Sequence, residues 1–147
     1  MLSLNIKQMA NQRDDLEYGL MNEQTALQHL QDHFKTTFRR RGGYATFDYI
    51  SINDDIEIEL KSRRIKHDRY DSAIIGLNKV HYCNDPNKQY YFAFLYTDGL
   101  FLVKHDRSVF DGYTHNEEYL RGERSDTTNM PQHIVLIPVE ALERVVV

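Results

Sequence analysis

Tryptophan is missing from this 147-residue chain, and cysteine occurs once, at Cys83. A lone thiol excludes an internal disulfide and a cysteine-based zinc knuckle, and it suits a reducing compartment. Prolines are three, Pro86, Pro131 and Pro138. No apolar run approaches the roughly 18 residues that span a bilayer. The opening stretch MLSLNIKQMANQRDDLEYG lacks the continuous apolar segment of a secretory signal, so the expectation is a cytoplasmic, intracellular protein with no membrane partner. Internal repeats and low-complexity segments are absent. So are an RNP motif, a helix-turn-helix signature and a P-loop.

What remains is an ordinary globular mix, 41% hydrophobic and 27% charged, of a length that suits one domain over 1–147 with one core. Ten tyrosines and seven phenylalanines are enough to dominate that core. The net charge is -4, from 18 basic and 22 acidic residues. By itself that argues weakly against a nucleic-acid or membrane-surface protein. The charge is unevenly placed, however. The segment KSRRIKHDR carries Lys61, Arg63, Arg64, Lys66 and Arg69 against one acid, Asp68, and Arg39, Arg40 and Arg41 form a second basic run. The chain beyond Asp98 is acidic.

Apolar spacing at Leu16, Leu20, Leu27, Leu30 and Phe34 predicts an amphipathic helix over about 14–34, started by Asp14 or Asp15. Thr, Phe, Tyr and Ile are dense over 36–64, which favours strands. Gly42-Gly43 and Asn53-Asp54 are turn signals, so the segment reads as three antiparallel strands near 36–41, 44–52 and 55–64. DRYDSAIIGLNKVHYC, residues 68–83, reads as a second helix with Tyr70, Ala73, Ile74 and Leu77 on one side. KQYYFAFLY and LFLVK read as a hairpin turning at Asp98-Gly99. A short helix is expected near Asn116–Arg121, and HIVLIPV is a late strand, available as core or as a dimer interface. The predicted class is α/β, a mixed β-sheet flanked by helices.

The informative strand is Asp55-Ile56-Glu57-Ile58-Glu59-Leu60-Lys61. Strict alternation sets Ile56, Ile58 and Leu60 on one face and Asp55, Glu57, Glu59 and Lys61 on the other. A strand with a solvated polar face explains that alternation equally well. A two-residue turn at Asn53-Asp54 adds more. It sets Asp48 across from Glu59, Ile50 across from Glu57 and Thr46 across from Lys61, with Tyr49–Ile58 and Phe47–Leu60 as the core pairs. Directly opposed Cβ atoms lie about 4.5–5.5 Å apart. Two carboxylates at that range repel unless a shared proton or a cation relieves them, and a divalent ion with oxygen ligands does so. Asp55 lies roughly 13 Å along the strand from Glu59, too far to replace Asp48. Glu23 interrupts the apolar stripe of the first helix, and an inward carboxylate there needs a partner or a metal. An edge position or a salt bridge would also account for it.

Asp48, Glu59-Leu60-Lys61 and the element order together resemble the PD-(D/E)xK, restriction-endonuclease-like nuclease superfamily. That family has an acid on the second strand of a meander and an E-x-K tripeptide on the third, within a helix–three-strand meander–helix–strand core. The resemblance covers about 14–104 and leaves 105–147 as an extension. Phe47 stands where the family name has proline. The resemblance implies a Mg²⁺- or Mn²⁺-dependent endo- or exodeoxyribonuclease. Asp48 and Glu59 would be metal ligands, Glu23 a helix acid near or on a second metal, and Lys61 the group acting on water or phosphate. Lys79, in YDSAIIGLNK, matches an assisting position on the second helix, and Glu57 competes with Glu59 as the ligand. DNA is the implied partner, often with two copies of the chain to cut two strands. Arg63, Arg64, Lys66 and Arg69 would hold its backbone, with Arg39, Arg40 and Arg41 as a further set. The alternative is a catalytically inactive nuclease-fold binding module, gripping DNA or serving as a viral interaction protein in a host cell. His29 and His33, spaced i, i+4, lack a third zinc ligand and read as surface. Cys83 reads as structural.

Overall fold

The computed structural model describes residues 23–120 and 131–145. The predicted helix over 14–34 is helical from residue 23 to 34 (α1). Its earlier residues, Leu16 and Leu20 among them, lie outside the described part. Ala26 and Leu30, one turn apart, are buried, and Phe34 continues the stripe. Lys35 ends the helix in the left-handed region (φ 54°). Thr36 N then donates to Gln31 O at 3.2 Å, which satisfies a terminal carbonyl.

Three strands follow as an antiparallel meander: β1 Phe38–Arg40, β2 Tyr49–Ser51 and β3 Ile56–Ser62. The expected register holds, with Tyr49 opposite Ile58 and Ile50 opposite Glu57. The turn differs in length. Asp54 N donates to Ser51 O at 2.9 Å, and Asp54 takes a positive φ of 59°. The loop thus holds residues 52–55, and Ser51 Oγ accepts from Ile56 N at 3.0 Å. Adding one residue on each side of a two-residue turn leaves the pairing unchanged.

Residues 68–83 are not one helix. They form β4 Ser72–Gly76 and then α2 Leu77–Tyr82. Alternation overrides helical spacing here: Ala73 and Ile75 are buried, and the β-branched Ile74-Ile75 pair suits a pleat. β5 Gln89–Tyr96 lies parallel to β3, and β6 Gly99–Lys104 returns antiparallel to it. Their two-residue loop is Thr97-Asp98, one position earlier than expected. Tyr96 pairs with Gly99, whose φ of 150° suits only glycine. α3 Arg107–Asp111 is capped by Asp106. β7 occupies Thr114–Leu120, where a helix was expected, because β8 Pro131–Pro138 pairs with it. β9 Glu143–Val145 completes the order.

The architecture is mixed α/β. A six-stranded mixed sheet runs β1-β2-β3-β5-β6-β9, and a three-stranded sheet runs β4-β8-β7. α1 covers one face of the larger sheet, packing on Tyr49, Ile58, Ala93 and Leu102. The other face was expected to carry a helix. It is covered instead by the smaller sheet, whose Ala73, Ile75, Val135 and Ile137 meet Phe92, Phe94 and Phe101. Phe47 joins this second layer, stacked on Tyr82 at 5.0 Å, and is not paired with Leu60. The chain bends at residues 46–48 before β2 starts, which turns Phe47 across the sheet. Among the described residues no helix is long and apolar enough to cross a membrane.

Candidate active site

Glu57, Glu59 and Lys61 project from β3 on the same side as Tyr90, Phe92 and Phe94 of β5, the side covered by the smaller sheet. The polar face of β3 is therefore buried. Glu57 is 0% exposed and Glu59 is 2% exposed. Carboxylates this deep need compensation, and the two are compensated differently.

Glu57 is saturated. Its Oε1 accepts from the Arg41 guanidinium and from Tyr82 OH at 2.8 Å, and its Oε2 takes Lys88 Nζ at 3.1 Å. Arg41 also donates to Tyr82 OH at 2.8 Å. The Tyr82 hydrogen bond, together with Glu57, raises the Arg41 pKa above its ordinary value against the cost of burial. This network closes the sheet at the start of β3. It ties Arg41 to Glu57 and engages both Glu57 oxygens.

Glu59 is under-satisfied. The bend before β2 lets Asp48 Oδ2 accept from Leu60 N at 2.9 Å, so the side chain replaces the main-chain acceptor that β2 would supply. This sets the Asp48 carboxyl beside Glu59, close enough to raise its pKa. Lys79 Nζ lies 2.7 Å from Glu59 Oε2, and Lys61 Nζ lies 3.7 Å from the same oxygen. Lys79 directs a hydrogen bond to Thr46 O at 2.6 Å. Glu59 Oε2 thus has cations nearby but no directed hydrogen bond. Burial, and next the hydrogen bond and charge of Asp48, push the Glu59 pKa from its ordinary 4.5 up to about 7, with Lys79 and Lys61 opposing. Burial lowers the Lys61 pKa, helped by Lys79 and Arg63 and opposed by Glu59.

Glu23 opens the described part of α1, half-buried, and its charge reaches Tyr49. Tyr49, on the face that α1 covers, feels the charges of both Glu23 and Asp48. The structure joins Asp48, Glu59, Lys61 and Lys79, and gives Glu57 a separate network of its own.

A cleft of about 950 Å³ opens beside this cluster, between β3, β4, α2 and β8. Lys61, Arg63 and Lys79 line it together with His81, His133 and Tyr70, and among the described residues no Asp or Glu does. Arg63, Arg64, Lys66 and Arg69 are exposed along the chain leaving β3. Arg39 is exposed and pairs with Asp54 at 3.6 Å, and Arg40 is exposed beside it. His133 had no sequence signal, since β8 reaches the site only through the second sheet.

No family model matches this chain, and no curated protein matches its sequence.

Two other groups are structural. His67, Asp68 and Asp98 cluster on the surface, but both Asp98 oxygens are spent on His67, from its main-chain N at 2.9 Å and Nδ1 at 2.6 Å. Burial raises the Cys83 pKa to about 12, and Glu57 adds to the shift, so the thiol is inert at neutral pH.

Proposed function

We propose that this chain is a metal-dependent nuclease of the PD-(D/E)xK type, hydrolysing DNA phosphodiester bonds, with a restriction-endonuclease-like arrangement of α1, the β1-β2-β3 meander and the parallel strand β5. One observation carries the reading. Asp48, just before β2, and Glu59 of β3 converge beside two lysines at the wall of a cleft whose charged lining, among the described residues, is cationic.

The donor set fits a hard divalent cation. It consists of carboxylate oxygens only, the ligand type that Mg²⁺ and Mn²⁺ take, and it includes a buried oxygen with no directed hydrogen bond. Asp48 and Glu59 would hold the ion, which when bound lowers the pKa of a water and neutralises phosphate charge. The chain's own residues do the rest. Leu60 N–H fixes the Asp48 carboxylate beside Glu59. Lys79, anchored to Thr46 O, keeps the Glu59 carboxylate in place. Lys61 reaches both Glu59 and the cleft, where its ammonium meets a phosphate oxygen and the charge that develops on it. Arg63 extends the cationic wall along the backbone of the substrate.

The inactive binding module has one observation on its side: Lys79 already offsets the Glu59 charge without an ion. Calorimetric titration with Mn²⁺ and Mg²⁺, followed by a DNA cleavage assay, separates the two. The nuclease reading expects binding that Asp48→Ala abolishes. It also expects Lys61→Ala to bind the ion as the wild type does while losing at least a hundredfold in cleavage. DNA binding with no uptake of either ion selects the module. Wild-type cleavage by Lys61→Ala removes the E-x-K assignment.

A further inference from the structure

Tyr70 is 62% exposed, and its ring forms part of the cleft wall that also carries Lys61, Arg63 and Lys79. Tyr44 and Ile52 are also exposed, at 107% and 68%, but neither lines the cleft. Arg69 Cζ sits 5.7 Å from the Tyr70 ring centroid, within cation–π range. Among the described residues the cleft therefore combines cations spaced along a wall with an exposed tyrosine ring and no carboxylate lining. That is the composition of a site that tracks a sugar-phosphate chain and stacks a base.

Stacking constrains the ligand. In a duplex each base is covered above and below by its neighbours and shows the grooves only its edges. An aromatic side chain reaches a base face only where the base is unpaired. We infer that the cleft takes single-stranded DNA, as a free strand, an overhang or a flap, with one unpaired base stacked on Tyr70 while Lys61 and Arg63 hold the neighbouring phosphates. This rests on the nucleic-acid reading of the cleft and names the form of DNA that it admits.

The order of the chain supports the placement. Arg63 follows Lys61 by two residues at the end of β3, and Tyr70 stands just before β4. Main-chain bonds fix the segment between them: Arg63 N donates to Leu95 O at 2.8 Å, Thr97 N donates to Ile65 O at 3.0 Å, and His67 is clasped by Asp98. The aromatic ring and the cations are thus carried on a braced loop, and little ordering is needed on binding.

The test is fluorescence anisotropy in Ca²⁺, which permits binding without turnover, using a labelled single-stranded oligonucleotide and the corresponding blunt duplex. The wild type should bind the single strand more tightly than the duplex. Tyr70→Ala should weaken single-strand binding by about 5- to 150-fold, the worth of one stacked base, while Tyr70→Phe and Tyr70→Trp keep it. Tyr70 is too exposed for its loss to unfold the chain, and thermal melting of each variant verifies this. Equal affinity of wild type and Tyr70→Ala for the single strand overturns the inference. So does a Tyr70→Phe variant as weak as Tyr70→Ala, or a wild type that prefers the duplex. Cleavage in Mg²⁺ is read separately. Tyr70-dependent binding without cleavage retains this inference and removes the nuclease. Cleavage with Tyr70-independent binding does the reverse.

Discussion

Replacing Glu59 by Gln should make the ion-free protein lose less stability as the pH rises above 5. The side chain is 2% exposed, and its carboxyl holds a proton up to about pH 7 against an ordinary 4.5. Between those values the folded state binds more protons than the unfolded state, so stability falls as pH rises. Each pH unit in that window costs about 1.4 kcal/mol, and allowing for partial titration at its ends the loss from pH 5 to pH 8 is about 2.5 kcal/mol. Gln has nearly the same shape and cannot ionise. The stability difference between Glu59→Gln and wild type should therefore move in favour of the variant by about 2.5 kcal/mol between pH 5 and pH 8. For a chain of this size that corresponds to roughly 5–10 °C in melting temperature. Urea titrations in EDTA at both pH values measure it. Comparing the two proteins cancels the titration of every other group that the substitution leaves alone. Saturating Mn²⁺ should remove the slope from the wild type, because ligation requires the ionised carboxylate. An identical pH profile for the two proteins refutes the reasoning, and so does a variant that loses ground at pH 8.

Glu57→Ala should behave in the opposite way. It removes the buried acid shared by the partly exposed Arg41 and Lys88 and should cost about 2 kcal/mol in urea unfolding, while leaving Mn²⁺ affinity by calorimetry near wild type. A larger loss of metal binding from Glu57→Ala than from Glu59→Ala would show that the ligand assignment is inverted. The Arg63→Ala/Arg64→Ala double variant should bind DNA in Ca²⁺ with a log–log salt slope smaller by roughly two, since each phosphate contact releases about 0.9 counterion. An unchanged slope would move the binding surface toward Arg39 and Arg40, the exposed part of the other basic run.

The contrast between Glu57 and Glu59 shows why a strand pattern alone could not separate them. They share a face of β3 two residues apart, and nothing in DIEIELK distinguishes their surroundings. Glu57 meets Arg41, from the turn after β1, and Tyr82 and Lys88, from the connection between β3 and β5. Glu59 meets Asp48 and Lys79. One sits in a closed ion-pair network and the other is a carboxyl with a raised pKa because of residues far away in sequence. Arg41 illustrates the same point. Within the Arg39-Arg40-Arg41 run it is the one that turns inward, because the chain bends after β1 and sets it beside a buried acid.

Local pattern was enough for the meander, the register that opposes Asp48 to Glu59, the β5–β6 hairpin and the apolar face under α1. Each of these rests on interactions between near neighbours, namely alternation, turn chemistry and helical periodicity. Tertiary structure alone decided that residues 72–76 are a strand, that 114–120 are a strand, and that a second sheet rather than a helix covers the acid face. Strand formation there depends on the pairing of β4 and β7 with β8, a partner about 60 residues beyond β4, and no local propensity reports such a pairing. The burial that raises the Glu59 pKa depends on that same covering sheet, as does the cleft that brings Tyr70 and His133 to Lys61. The identities of Asp48, Glu59 and Lys61 were legible in the strand pattern. Their chemistry was not, because desolvation and the convergence of charges come from long-range packing.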